Sequence, residues 1–188
     1  MLTPRFDGAL RHAARLHRSQ TRKGTTTPYI SHLMAVSALV LEHGGDEEQA
    51  IAGLLHDAIE DAGETTGSLQ QVYGTRVAQI VTECSDFDGS NPRPDWTTRK
   101  RGYIDALPGK SDDAILVTSC DKLHNAESIL EDLHAIGPAV FDRFTAGRDG
   151  TLWYYDTLAT ALAQRAPTIL GARLRRIVSA LLDAAGTA

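Results

Sequence analysis

Between Gly53 and Gly63 the chain reads Gly-Leu-Leu-His-Asp-Ala-Ile-Glu-Asp-Ala-Gly, which sets two polar pairs, His56-Asp57 and Glu60-Asp61, into an otherwise apolar stretch. Imidazole and carboxylate are the donors that hard or borderline divalent cations such as Mn²⁺, Fe²⁺ and Zn²⁺ accept. On one continuous α-helix, turning about 100° per residue, His56 lies above Glu60 and Asp57 above Asp61, so that all four share a flank. From Asp46 to Gly63 no Lys or Arg balances the acids. A bound cation supplies the missing charge in this reading.

Two more residues extend the set. His32 stands in the first turn of an expected helix, and Asp121 sits in Cys120-Asp-Lys-Leu-His-Asn125, within another apolar helix. An unpaired carboxylate is costly to bury there. A salt bridge from Lys122 or a distant Arg is the plainer account of Asp121, just as a hydrogen-bonded core residue is the plainer account of any single histidine. The convergence of His32, His56, Asp57 and Asp121 from three helices favours a metal site. One turn beyond His56-Asp57, Glu60 and Asp61 are placed to hold or deprotonate a metal-bound water, whose pKa a metal brings from about 15.7 to about 7. A solvated helix end near Gly63 is the alternative for this pair.

Cations and an amide suit an anionic, phosphorylated substrate. Arg22 and Lys23 lie in an early polar loop, and Arg99, Lys100 and Arg101 run in series near the middle of the chain. Guanidinium chelates phosphate or stacks on a base, whereas Lys offers a mobile point charge. The run from Arg99 to Arg101 reads equally well as a wet helix face. Asn125, one turn after Asp121, is positioned to bond a substrate hydroxyl or phosphate, or simply a neighbouring carbonyl. His12, His17, His43, His124 and His134 have no comparable company and read as structural or surface residues.

The elements that must position these side chains are helical. Apolar residues recur at three- and four-residue steps almost throughout, and alternating strand-like runs are missing, which predicts an all-α single domain over residues 1–188. Expected helices run from Pro4 to His17, Ile30 to His43, Asp46 to Gly63, about Thr75 to Asp86, Thr97 to Leu107, Ser111 to Leu133, Leu152 to Arg165 and Pro167 to Ala184, with a short one between Thr65 and Gly74. Gly44-Gly45 and Gly63 are stop signals. Asp46 with Gln49 forms an expected capping box. The segment from Asp86 to Asp95 is rich in breakers and reads as a loop suited to a substrate-side flap.

Composition narrows the function further. The chain has 188 residues, 42% of them apolar, enough for one core and no second catalytic domain. A formal net charge of −5 without a dense Lys/Arg block argues against a nucleic-acid surface. Cys84 and Cys120 stand far apart, so neither a disulfide framework nor a thiolate zinc site is expected. No run of about 18 apolar residues occurs, so no membrane span is expected, and the reading is of a cytoplasmic protein. Nothing in the sequence specifies an oligomeric state.

Taken together, Arg22-Lys23, Pro28-Tyr-Ile-Ser-His32, His56-Asp-Ala-Ile-Glu-Asp61 and Asp121-Lys-Leu-His-Asn125, in that order and spacing, resemble the hydrolase domain of the RelA/SpoT homologue family within the HD superfamily. The resemblance covers residues from about 5 to 165 and implies an HD-domain helical bundle acting as a stand-alone small alarmone hydrolase. It implies Mn²⁺ held by His32, His56, Asp57 and Asp121, with Glu60 and Asp61 as the catalytic acidic pair. The implied reaction removes pyrophosphate from the 3′ position of (p)ppGpp, or of its adenosine counterpart (p)ppApp. Arg22 and Lys23 then meet base and phosphates, Tyr29 shapes the pocket, and Asn125 contacts the nucleotide. Trp153-Tyr-Tyr155 resembles a late aromatic stretch of the small hydrolases. Two residues depart from the pattern: Leu33 stands where proline is usual, and Glu127 where arginine is usual. A nucleotidase or phosphodiesterase of the same superfamily, and a non-catalytic nucleotide-binding module, are the rival expectations.

Overall fold

The computed structural model describes residues 1–86 and 94–186. Among these, regular structure is helical, apart from one isolated antiparallel bridge between Thr21 and Pro28. The all-α expectation holds. In chain order the helices are α1 (Pro4–Leu16), α2 (Ile30–Glu42), α3 (Glu47–Leu55), α4 (Ala58–Ala62), α5 (Thr66–Tyr73), α6 (Thr75–Cys84), α7 (Trp96–Ala106), α8 (Asp112–Ile136), α9 (Gly147–Ala163) and α10 (Thr168–Gly186). Short 3-10 turns occupy Leu107–Gly109 and Gly137–Arg143. The expected flap falls mostly on residues 87–93, outside the described residues.

The long α8 is the axis of the bundle: α2, α3 and α6 pack on one part of it, α9 and α10 on another. Leu123, Ile115, Leu33, Ile51, Leu54 and Leu174 are fully buried along these seams. Leu33, the departure from proline, is one of these core side chains, so its place is filled by packing. Burying such a side chain is worth about 1.5–3 kcal/mol.

Capping sets where the helices start. Asp46 accepts from the Gln49 backbone at 3.0 Å while Gln49 Oε1 accepts from the Asp46 backbone at 2.7 Å, the reciprocal pairing expected for α3. Ser111 Oγ accepts from the Ala114 backbone at 3.2 Å and opens α8. At Gly53 the backbones of α2 and α3 come so close that an added Cβ would lie 3.1 Å from Ser37 Cα. Ser37 Oγ bonds the Ala50 carbonyl at 2.9 Å and locks the same crossing. That crossing brings His32 and His56 side by side.

One expectation is corrected. The stretch from Asp46 to Gly63 is two helices, because the chain turns at His56 and Asp57 between α3 and α4. His56 Nδ1 donates to the Gly53 carbonyl at 2.8 Å, taking one of the acceptors that a helix end leaves open. Gly63, at φ 72°, then ends α4 in the left-handed region.

Candidate metal centre and substrate pocket

The turn between α3 and α4 aims His56 and Asp57 at the buried face of α8, where His32 of α2 also arrives. His32, His56 and Asp57 each offer a ligand atom within 4.8 Å of the others. Asp121 Oδ1 lies 3.2 Å from His32 Nε2 and 3.5 Å from His56 Nε2, and Asp57 Oδ2 lies 3.0 Å from His56 Nε2. Both imidazole Nε2 atoms are buried and, among the described residues, make no hydrogen bond of good geometry. Orphaned buried nitrogens beside two carboxylates fit a divalent cation: the donors are turned to a shared centre rather than spent on each other.

The same residues are also held by neighbours, in part through the oxygens that face the histidines. His56 Nδ1 is held by Gly53, as above, and His32 Nδ1 lies 2.9 Å from His124 Nδ1. Tyr29 donates to Asp57 Oδ2 at 2.6 Å. Asp121 accepts from Asn125 Nδ2 at 2.5 Å through Oδ1 and pairs with Lys122 Nζ at 2.6 Å through Oδ2. Such outer partners fix tautomer and orientation in metal sites. His124, read from sequence as structural, thus touches a candidate ligand; its spacing of three from Asp121 was the available signal.

Electrostatics follow the geometry. Burial alone would push His56 down, but the Asp57 and Asp121 carboxylates outweigh it and raise its pKa well above the ordinary value. The half-buried Asp57 and the buried Asp121 therefore favour a positive charge between them, which either a proton on His56 or a cation supplies. Burial lowers His32. Burial also takes His124 down to about 4, with the neighbouring His32 and Arg22 adding to the effect. Burial would raise Asp57 and Asp121; the facing His56 holds the former below the usual carboxylate range, and Lys122, with His56, the latter.

Beside this cluster lies a cavity of about 260 Å³. Its wall contains Asp57, Asp121, Glu60 and Asp61, and the expected Arg22, Lys23, Tyr29 and Asn125 all reach it. Lys100, Lys122 and Arg143 line it too. Nothing in the local patterns around Lys122, beyond its neighbour Asp121, or around Arg143 points to a cavity that forms between α7, α8 and α9. His12, His43 and His134 are not among the lining residues.

Of the acids expected to lack cations, Glu60 finds one across the fold. Arg99 Nη1 lies 3.5 Å from Glu60 Oε1 and also pairs with Asp86, which Lys100 bonds at 2.5 Å. Arg101 stacks over Trp153, 5.4 Å from the ring centroid. The wet-face account fails for Arg99 and Lys100, which turn inward at 13% and 17% exposure, and holds for Arg101, which is exposed. Burial, then the Asp86 charge, raises Glu60 above its ordinary pKa. Asp61 accepts from Gln20 Nε2 at 2.9 Å. Glu127 faces away from the cavity: its Oε1 accepts from Arg173 of α10 at 2.9 and 3.2 Å.

Residues 9–152 match the family model described as HD domain. The chain belongs to the HD domain family. This HD domain is 40% identical over 130 residues to the guanosine-3′,5′-bis(diphosphate) 3′-pyrophosphohydrolase MESH1 of Danio rerio, covering 67% of each chain. It is 36% identical over 129 residues to MESH1 of Homo sapiens, covering 67% of this chain and 68% of that one. Among solved structures, it superposes on a metazoan orthologue of SpoT that hydrolyses ppGpp, with a TM-score of 0.79 at 27% identity, over 95% of this chain and 96% of the other. The resemblance drawn from the motifs is therefore a family relationship, and an HD domain implies a divalent metal.

Proposed function

We propose that this HD domain is a Mn²⁺-dependent 3′-pyrophosphohydrolase of guanosine alarmones, (p)ppGpp, with the adenosine analogues (p)ppApp as the second substrate class to be tried. The observation that carries the reading is the meeting of a histidine and carboxylate cluster with a cavity lined by Arg22, Lys23, Lys100, Lys122 and Arg143. The names of the relatives, ppGpp 3′-pyrophosphohydrolases, support it.

In this reading His32, His56, Asp57 and Asp121 would hold the ion. A divalent cation so bound acidifies water and polarises a phosphoryl oxygen. Water attacks the phosphorus joined to the ribose 3′ oxygen, the bond between them breaks, and pyrophosphate leaves. The water proton passes to the Glu60 and Asp61 carboxylates, and a proton returns to the 3′ oxygen. Glu60 suits this exchange because its raised pKa brings it nearer the working pH. Lys122 and Lys100 neutralise phosphate oxygens, Arg22 and Lys23 meet base and phosphate, and Asn125 with Tyr29 shapes the nucleotide site. Basic side chains inside a half-closed cavity exert more attraction than on an open surface, because water screens them less.

The deciding experiment strips the purified protein of metal, restores Mn²⁺, and assays ppGpp and ppApp for pyrophosphate release. Release from ppGpp with a nucleoside diphosphate product is the expected result. No release from either compound sinks the reading, and orthophosphate release from simple mononucleotides would replace it with a nucleotidase.

A further inference from the structure

His17 and Gln20 carry none of the roles above, yet they are built onto the acidic pair. His17 closes α1, is 2% exposed, and packs its ring 5.4 Å from that of Tyr29. Its Nδ1 lies 2.6 Å from Gln20 Oε1, while its buried Nε2 has no hydrogen-bond partner among the described residues. The amide of Gln20 then donates from Nε2 to Asp61 Oδ2 at 2.9 Å. The backbone of Gln20 is pinned separately, its carbonyl accepting from Tyr29 N at 2.9 Å and its N–H donating to the His17 carbonyl at 3.1 Å.

Donor and acceptor chemistry allows this chain to run in one direction. An ionised carboxylate only accepts, so the NH₂ of Gln20 must face Asp61. Oε1 must then face His17, and His17 Nδ1 must carry the hydrogen. That leaves Nε2 as a bare lone pair, the form in which an unpartnered buried nitrogen strands no N–H. The reversed amide would set Oε1 against Asp61 Oδ2, two acceptors in contact. Asp61 needs such a clamp: it stands next to the end of the five-residue α4, with its side chain exposed. Engaging Oδ2 leaves Oδ1 for the cavity that Asp61 lines.

We propose that His17 and Gln20 form a positioning relay that holds the Asp61 carboxylate toward the cavity, acting on the reaction without touching substrate. The proposal rests on the catalytic reading of Asp61. Its signature is a loss in kcat with KM and metal affinity unchanged, because neither substrate nor ligand atoms are altered. Substitution of the Gln20 side chain leaves its two backbone bonds in place, so the loop keeps its anchorage.

The test measures kcat and KM for pyrophosphate release, Mn²⁺ affinity by titration, and Tm for Gln20→Leu, His17→Phe, His17→Gln, Asp61→Asn and the double variant of Gln20→Leu with Asp61→Asn. Gln20→Leu is expected to lower kcat about tenfold, the scale of one hydrogen bond to a charged group, with KM and Mn²⁺ affinity within about twofold. His17→Phe should match it, and His17→Gln, which restores an N–H donor, should recover most of the loss. In the Asp61→Asn background Gln20→Leu should cost nothing further. Full kcat in Gln20→Leu beside a collapsed Asp61→Asn overturns the relay alone, as do losses that multiply in the double variant. Full kcat in Asp61→Asn overturns the reading of Asp61 itself. Should His17→Phe fail to fold, Gln20→Leu and the double variant decide.

Discussion

Arg22 and Asn125, 103 residues apart, are joined by a hydrogen bond of 2.9 Å from the Arg22 guanidinium to Asn125 Oδ1. The same amide donates through Nδ2 to Asp121 Oδ1. One asparagine therefore couples a cation lining the cavity to a candidate metal ligand. Asn125→Ala should release both partners, raising KM and weakening Mn²⁺ affinity together, with kcat/KM down about tenfold to a hundredfold. In a double-variant cycle Arg22→Ala and Asn125→Ala should be non-additive. Kinetics and metal titration on the same preparations check this; a change in KM with intact metal affinity would break the link.

His124 supports His32 from the side opposite Asp121, at 2.9 Å between the two Nδ1 atoms. With His32 presenting Nε2 to the centre, its Nδ1–H needs an acceptor, and His124, kept neutral by burial with a pKa of about 4, offers one. His124→Leu is expected to weaken Mn²⁺ affinity roughly tenfold to a hundredfold, and His124→Gln, which offers a carbonyl, to restore part of it. Isothermal titration with Mn²⁺ on the stripped variants reads this out without any assay of turnover.

Glu60 links activity to pH through Asp86. Its raised pKa means that the carboxylate form is lost, as pH falls, above the ordinary glutamate value of 4.5. A base that must be ionised then gives an acid limb in kcat/KM at that raised pKa. Asp86→Asn removes a neighbouring negative charge and frees Arg99 and Lys100, and all of these changes favour ionised Glu60. The acid limb of the variant should therefore move to lower pH. An unmoved or higher limb in a pH-rate profile would show that Glu60 is not the group being read.

Glu127 reverses a charge that the family resemblance expects to be positive, but the structure gives that charge a partner outside the cavity. Arg173 on α10 donates to it from two nitrogens. Glu127→Arg should thus leave kcat/KM within about twofold and lower stability by about 1 kcal/mol, a pair of this exposure being worth little more. For a domain of this size that is about 2–4 °C in Tm by thermal unfolding. A tenfold loss of activity at unchanged Tm would return Glu127 to the substrate site.

The helical class, the capping box at Asp46 and Gln49, the start of α8 at Ser111 and the four motif segments were all readable in the sequence, because each depends on residues a few positions apart: apolar spacing, a side chain meeting a backbone three residues on, a glycine that stops a helix. What the local pattern concealed was the break at His56 and Asp57. A ring nitrogen bonding the Gly53 carbonyl is a choice of side-chain direction that periodicity does not record.

The sequence by itself determined which side chains were available for the chemistry: imidazoles and carboxylates without local cations, and basic residues in two distant segments. Only the tertiary structure decided what faces what. The packing of α2, α3 and α8 left the Nε2 atoms of His32 and His56 unsatisfied and put His124 behind one of them. Folding brought Arg99 to Glu60, Gln20 to Asp61 and Arg173 to Glu127. Charge balance and hydrogen bonding act through space over a few ångströms, whereas the chain order separates these partners by tens of residues, so Glu60 meets its cation and Asp61 its amide donor only once the chain has folded.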